Sequence, residues 1–235
     1  MKQESYKKVE RMTVAMRSIH WANAAFMVVA VITGLYIGEP YYQTLIAEPA
    51  VQKYVMAWNR WWHFIAAIIF DVTSIVIAYL YFFSRFEKPY KKLIPNAHNL
   101  NEFGAVFLNL ITLNRKKSFD SSHSDSFNTV YFTIFHLLLF FMLFTGLQLY
   151  VHGLESGISS IGAWWPWILH VGTDWTIPVT GGSLMDVRIA HHITMWLIIV
   201  WVAFHIYYQI WRTIFWEEGD LAIVVGGSKF VKDKK

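Results

Sequence analysis

Residues 188–211 read R188-I-A-H191-H192-I-T-M-W-L-I-I-V-W-V-A-F-H205-I-Y-Y-Q-I-W211. No Asp, Glu, Lys or Arg interrupts the stretch after Arg188. A bilayer core takes about 20 apolar residues to cross as a helix, so this segment is long enough to span one. Three histidines inside such a run are costly unless they face one another or a ligand. At about 100° per residue, His191 and His205, fourteen positions apart, fall about 40° from alignment and about 21 Å apart along the axis. His192 and His205, thirteen positions apart, diverge by about 140°. His191 and His205 therefore share a face, and His192 points elsewhere.

Three further apolar runs, 19–37, 61–83 and 131–151, are also long enough to cross. The chain is 55% hydrophobic and 15% charged, oilier than soluble domains. Many of its twelve Trp lie near the ends of the runs, as in an interfacial belt. The charged N-terminus lacks a cleavage site after the first run, so that run is expected to be retained as a span.

The basic residues are segregated. Five precede residue 18, seven lie in 84–130 and five follow Trp211. Only Lys53, Arg60 and Arg188 fall on the other side. Seventeen against three places both termini and the 84–130 loop in the cytoplasm, with 38–59 and 152–188 outside. Membrane topology thus accounts for the net charge of +4, and nucleic acid is not needed as a partner. The outer loops, with Pro40, Pro49, Trp164, Trp165, Pro166, Trp167, Trp175 and Pro178, read as docking surface or short interfacial helices. Within the inner loop, 100–113 reads as an interfacial amphipathic helix. Cysteine is absent, which excludes disulfides, thiolate metal sites and cysteine-bound iron–sulfur clusters or haem.

Orientation assigns depth. The first span runs outward, so His20 lies near the cytoplasm. The second and fourth run inward, so His63 and His191 lie near the outer surface and His205 near the inner one. Matching depth pairs His63 with His191 and His20 with His205. Two bis-histidine sites, one above the other, suit two b haems, because histidine commonly holds haem iron and four-helix bundles build such sites from facing helices. Zinc would gather its ligands at one point, which the separation along the fourth span opposes. The competing reading is of histidines merely hydrogen-bonded within a core.

Arginine stands three residues before a histidine in Arg17–His20, Arg60–His63 and Arg188–His191. Positions three apart are helical neighbours, and each arginine lies on the aqueous side of its histidine. Guanidinium groups there would meet haem propionates in a bidentate fork; the alternative is snorkelling at a helix end. Gly34, fourteen residues after His20, reaches the outer level, where a cofactor edge or a neighbouring helix could approach. Gly146 allows the same. His136 reads as a hydrogen-bonding neighbour. Asp71, mid-span, is expected to pair with a nearby Thr or Tyr.

The sequences R-S-I-H-W, R-W-W-H-F and R-I-A-H-H-I-T-M-W…H resemble the b-type cytochrome subunits of membrane-bound, quinone-reactive nickel–iron hydrogenases. The wider di-haem cytochrome b superfamily includes those of formate dehydrogenase and thiosulfate reductase. The resemblance covers nearly the whole chain. It implies a single all-α domain, 1–235, in the bacterial inner membrane, with four transmembrane helices in an up-down bundle holding two stacked haems. It implies partners in a small iron–sulfur subunit and a large nickel–iron subunit, with no hydrogen-activating centre on this chain. It implies electron delivery to menaquinone or ubiquinone. The inner-side residues Asn96, His98 and Asn101, with Arg85, Asn128, Tyr131 and Tyr207, are candidates for the quinone. A haem-free anchor or proton-conducting protein is the reading of a different class.

Overall fold

Thr13 opens the first long helix. Its hydroxyl accepts from the Met16 backbone N–H and its carbonyl from that of Arg17, which meets two of the donors every helix start leaves unpaired. The helix α1 then runs Val14–Gly38. The computed structural model describes residues 6–40, 49–83, 94–115, 126–154, 164–216 and 221–232. Arg85 and the side chains of Lys53, Trp164 and Trp165 lie outside the described residues. In chain order the elements are β1 (Tyr6–Glu10), α1, α2 (Pro49–Phe83), α3 (Ala97–Ile111), α4 (Ser126–Leu154), α5 (Trp164–Thr173), α6 (Thr176–Thr180), α7 (Leu184–Phe215), α8 (Leu221–Gly226) and β2 (Ser228–Lys232).

Local chemistry sets these boundaries. Pro49 stands at the start of α2, where its missing N–H costs nothing. Asn96 caps α3 in a reciprocal box with Asn99. Ser183 and Asp186 form the equivalent box for α7, each bonding the other's backbone N–H. Each long helix pairs its own backbone polar groups, as lipid requires.

Four helices are long and apolar enough to cross a membrane: Val14–Gly38, Val55–Ile77, Phe127–Gly153 and Leu184–Phe215. Their outward faces carry exposed apolar residues, among them Ile75, Leu137, Val200 and Ile214. A large apolar exterior on every long helix is what a lipid-facing bundle presents. The protein is a multi-pass membrane protein whose spans are all helical.

The chain divides into two compact units, and each long helix contributes one stretch to each. The first unit contains 1–28, 68–134 and 202–235. Aromatic rings fill its core: Phe127 lies 4.1 Å from Tyr208 and 4.8 Å from Phe103. Arg212 is buried there, donating to the Tyr208 hydroxyl. The second unit contains 29–67 and 135–201, and its interior is more polar, with Thr145, Gln148, Thr173 and Thr176 fully buried beside Val151 and Val187.

The two charged tails, for which the sequence suggests no element, pair as a ribbon. β1 and β2 pair antiparallel, Tyr6 opposite Lys232 through Glu10 opposite Ser228. Gly227 makes this possible. Its φ is +78°, and a Cβ there would stand 2.7 Å from the Met12 carbonyl oxygen. That carbon has no room, so only glycine turns the chain from α8 into β2. α1 clasps the same segment: Arg17 donates to the Val225 carbonyl at 2.7 Å and the Trp21 indole to that of Val224 at 2.8 Å.

Candidate haem site

His63 on α2 and His191 on α7 meet in the second unit, ring centroids 6.4 Å apart. Each is held by the same device from a neighbouring helix. The His63 Nδ1 lies 3.0 Å from the Ala30 carbonyl and 3.1 Å from the Thr33 hydroxyl of α1. That hydroxyl already donates to the Val29 carbonyl. His191 Nδ1 lies 2.9 Å from the Thr145 hydroxyl of α4, which donates to the Phe141 carbonyl. With each threonine proton committed to its own helix, Nδ1 must carry the proton in both histidines. The Nε2 lone pairs are then available to a metal, and a ligand whose second nitrogen donates to a carbonyl or hydroxyl is the usual arrangement.

Glycines admit these rings. A Cβ on Gly34 would stand 3.2 Å from His63 Cε1, and one on Gly146 3.2 Å from His191 Cε1. The space expected at both glycines is thus occupied by the imidazoles themselves. The threonines before them escaped the sequence reading, although a repeat marks them: T-G-L occurs at 33–35 and again at 145–147. Gly38 admits a third ring, that of His192, which accepts from the Trp196 indole at 3.2 Å and so turns away from the His63–His191 pair.

The other two histidines lie in the first unit. His205 stacks on Tyr131 at 5.1 Å and His20 meets Trp21 edge-on at 5.6 Å. They are near enough for their charges to interact. His20 Nδ1 is buried without a hydrogen-bond partner among the described residues.

The arginines differ among themselves. Arg60 and Arg188 are exposed and make no hydrogen bond to a described residue, so their guanidinium donors are available. Arg17 spends one nitrogen on Val225 and keeps a buried Nε without a partner among the described residues. His136 lies edge-on to Phe135. The partner expected for Asp71 is not there: Thr73 bonds Asn23 of α1 and its own helix instead, because its hydroxyl faces α1. Asp71 is half-buried with no hydrogen bond to a described residue.

On α3, Asn96 is committed to the cap, His98 pairs with Glu102 at 3.0 Å and Asn101 is exposed. The Tyr207 hydroxyl donates to the Leu110 carbonyl at 3.2 Å. In the second unit, Gln148 bridges Thr173 and Asp174, and His170 lies 2.9 Å from the same Asp174 oxygen. The His170 hydrogen bond holds the Asp174 carboxyl below the usual range, with lesser help from Gln148 and the charges of His170 and His152.

Residues 11–227 match the family described as prokaryotic cytochrome b561. The chain belongs to that family. It is 28% identical to the probable Ni/Fe-hydrogenase B-type cytochrome subunit of Cupriavidus necator over 231 residues, covering 93% of this chain and 85% of the relative. It is 27% identical to the protein of that name in Bradyrhizobium diazoefficiens, covering 93% and 84%. It is 26% identical to the probable Ni/Fe-hydrogenase 1 B-type cytochrome subunit of Escherichia coli, covering 90% and 86%. The chain is a membrane electron-transfer cytochrome of b type, and its prosthetic group is haem b.

The residues of the cytochrome fit that group. Two imidazole nitrogens on opposite sides of a metal, each about 2 Å from it, place the ring centroids roughly 6 Å apart. The His63–His191 separation of 6.4 Å meets this requirement. Among the described residues no cluster of three or more His, Asp or Glu could hold a metal ion.

Proposed function

We propose that this chain is the membrane subunit of a nickel–iron hydrogenase and carries electrons from a periplasmic iron–sulfur subunit to the quinone pool. It holds two b haems, one between His63 and His191 and one between His20 and His205. Haem b supplies one-electron redox chemistry when bound; the chain supplies position, ligand basicity and a dry surrounding. The observation that carries the reading is the His63–His191 pair, ring centroids 6.4 Å apart and both Nδ1 atoms already satisfied.

Arg60 and Arg188 stand one helical turn from His63 and His191, with free guanidinium groups suited to propionates. Arg17 stands likewise beside His20. Gly34 and Gly146 let the ligand helices close on their neighbours. The hydrogenase name of the relatives favours the nickel–iron pair over a formate dehydrogenase as partner. Seventeen basic residues put both termini and the 84–130 loop in the cytoplasm, making His20–His205 the inner site of a single inner-membrane domain. Menaquinone or ubiquinone would be reduced near that site. Of the three α3 candidates, His98 and Asn101 have side chains clear of the cap, whereas Asn96 contributes through α3's placement.

Two measurements test the reading together. A reduced-minus-oxidised spectrum of the purified chain should display b-type bands, and a tagged chain should co-purify nickel and iron–sulfur clusters from its own membranes. A chain without b-type bands would refute the haem sites; b-type bands with a molybdenum-containing partner would refute the hydrogenase assignment alone.

A further inference from the structure

The two histidine pairs differ in one chemical respect. At His63 and His191 each Nδ1–H has a threonine hydroxyl to donate to, Thr33 for the first and Thr145 for the second, and His63 has the Ala30 carbonyl as well. The T-G-L repeat builds this twice, the threonine addressing Nδ1 and the glycine making room at Cε1. At the other pair, His20 Nδ1 is buried with no partner among the described residues, and His205 makes ring contacts but no hydrogen bond to a described residue. Donation from Nδ1–H puts electron density on Nε2 and makes the imidazole a more basic ligand. A more basic axial ligand favours the ferric over the ferrous state, and hydrogen bonding to a ligand is one of the levers by which a protein sets haem potential.

We propose that Thr33 and Thr145 are positioning residues that make His63 and His191 the electron-richer pair, so that the haem they hold has the lower reduction potential of the two. This rests on the two-haem reading above. It gives the sequence repeat a purpose that packing alone does not: two alanine–glycine pairs would admit the rings equally well, but would leave His63 Nδ1 with the Ala30 carbonyl alone and take from His191 Nδ1 its Thr145 acceptor. The ordering is also the one under which electrons leave the His63–His191 site for the His20–His205 site downhill, with no proton transferred and no bond in the chain made or broken.

The test is a potentiometric titration of the haem absorbance in the purified, haem-loaded cytochrome, comparing wild type with Thr33→Val, Thr145→Val, Thr33→Ser and Thr145→Ser. Valine keeps the shape and removes the hydroxyl; serine restores it. Wild type should titrate in two steps. Each valine variant should raise the lower midpoint and leave the upper one in place, and each serine variant should return it toward wild type. The haem that shifts should be the one missing from His191→Ala. Should Thr145→Val release its haem, Thr33→Val carries the same expectation, since His63 keeps the Ala30 carbonyl. Two bound haems with both midpoints unmoved in the valine variants would overturn the proposal, as would a shift confined to the haem missing from His205→Ala. A wild-type cytochrome binding a single haem would instead refute the two-site reading, which haem content measures before any titration begins.

Discussion

At His191 and His192, adjacent residues do different work because a helix turns about 100° between them. His191 meets His63, while His192 lies against Gly38 and accepts from Trp196. His191→Ala should therefore cost the purified cytochrome half its haem, and His192→Ala should cost none; pyridine haemochrome assay per chain measures both. Gly34→Ala offers a finer probe. Its methyl would come within 3.2 Å of His63 Cε1, a ring held at Nδ1 by two partners and unable to retreat without losing them. Haem occupancy at that site should fall severalfold, while Gly104→Ala, in open space, should leave it unchanged. The four histidines were legible in the sequence because depth and helical phase can be computed from spacing alone. Thr33 and Thr145 were not, because a threonine in an apolar helix ordinarily bonds its own backbone, as both do here. Their second role exists only once another helix brings a histidine to them. Asp71 shows the converse: a threonine two residues away in sequence points at a different helix.

At the scale of the element, hydropathy and length suffice for the long helices, since lipid leaves the chain few alternatives to a helix. The helices overrun the apolar runs at their ends, where Thr13 and the Ser183–Asp186 box, rather than hydropathy, decide the start. The expected interfacial helix at 100–113 forms as α3, shifted to Ala97–Ile111 by its asparagine cap. The β1–β2 ribbon was illegible because each strand is five charged-and-apolar residues whose partner lies more than 200 positions away. Gly227 is its weak point. Gly227→Ala should unpair the ribbon, seen as faster amide exchange across 6–12 and 228–232, because φ near +78° and the Met12 carbonyl both exclude a side chain. Trp21→Phe removes one hydrogen bond to α8, a loss of about 1 kcal/mol, and should loosen α8 to a smaller degree. The Gln148–Asp174–His170 cluster gives α5 a pH dependence. The Asp174 carboxyl is held below its ordinary value, near pH 4, so its contacts are complete above that value and are lost as pH falls through the depressed one. Exchange in α5 should rise only in that acid range, and Asp174→Asn should show the faster exchange already at neutral pH.

For the whole molecule, the absence of cysteine is an experimental convenience. Single cysteines at the exposed Lys8 and Val225 should be labelled by an impermeant thiol reagent only from the cytoplasmic side, and one at the exposed Val171 only from the periplasmic side. The family and its membrane character rest on the match across 11–227 and on four long apolar helices. The claim on which everything else depends is that four histidines form two haem sites in fixed pairs. Haem content and low-temperature spectra of His20→Ala, His63→Ala, His191→Ala and His205→Ala test it most directly. Two haems per chain are expected in the wild type and one in each variant, with His63→Ala and His191→Ala retaining the same haem and His20→Ala and His205→Ala retaining the other. One haem in the wild type, or retained spectra that sort the variants into any other pairs, would contradict it.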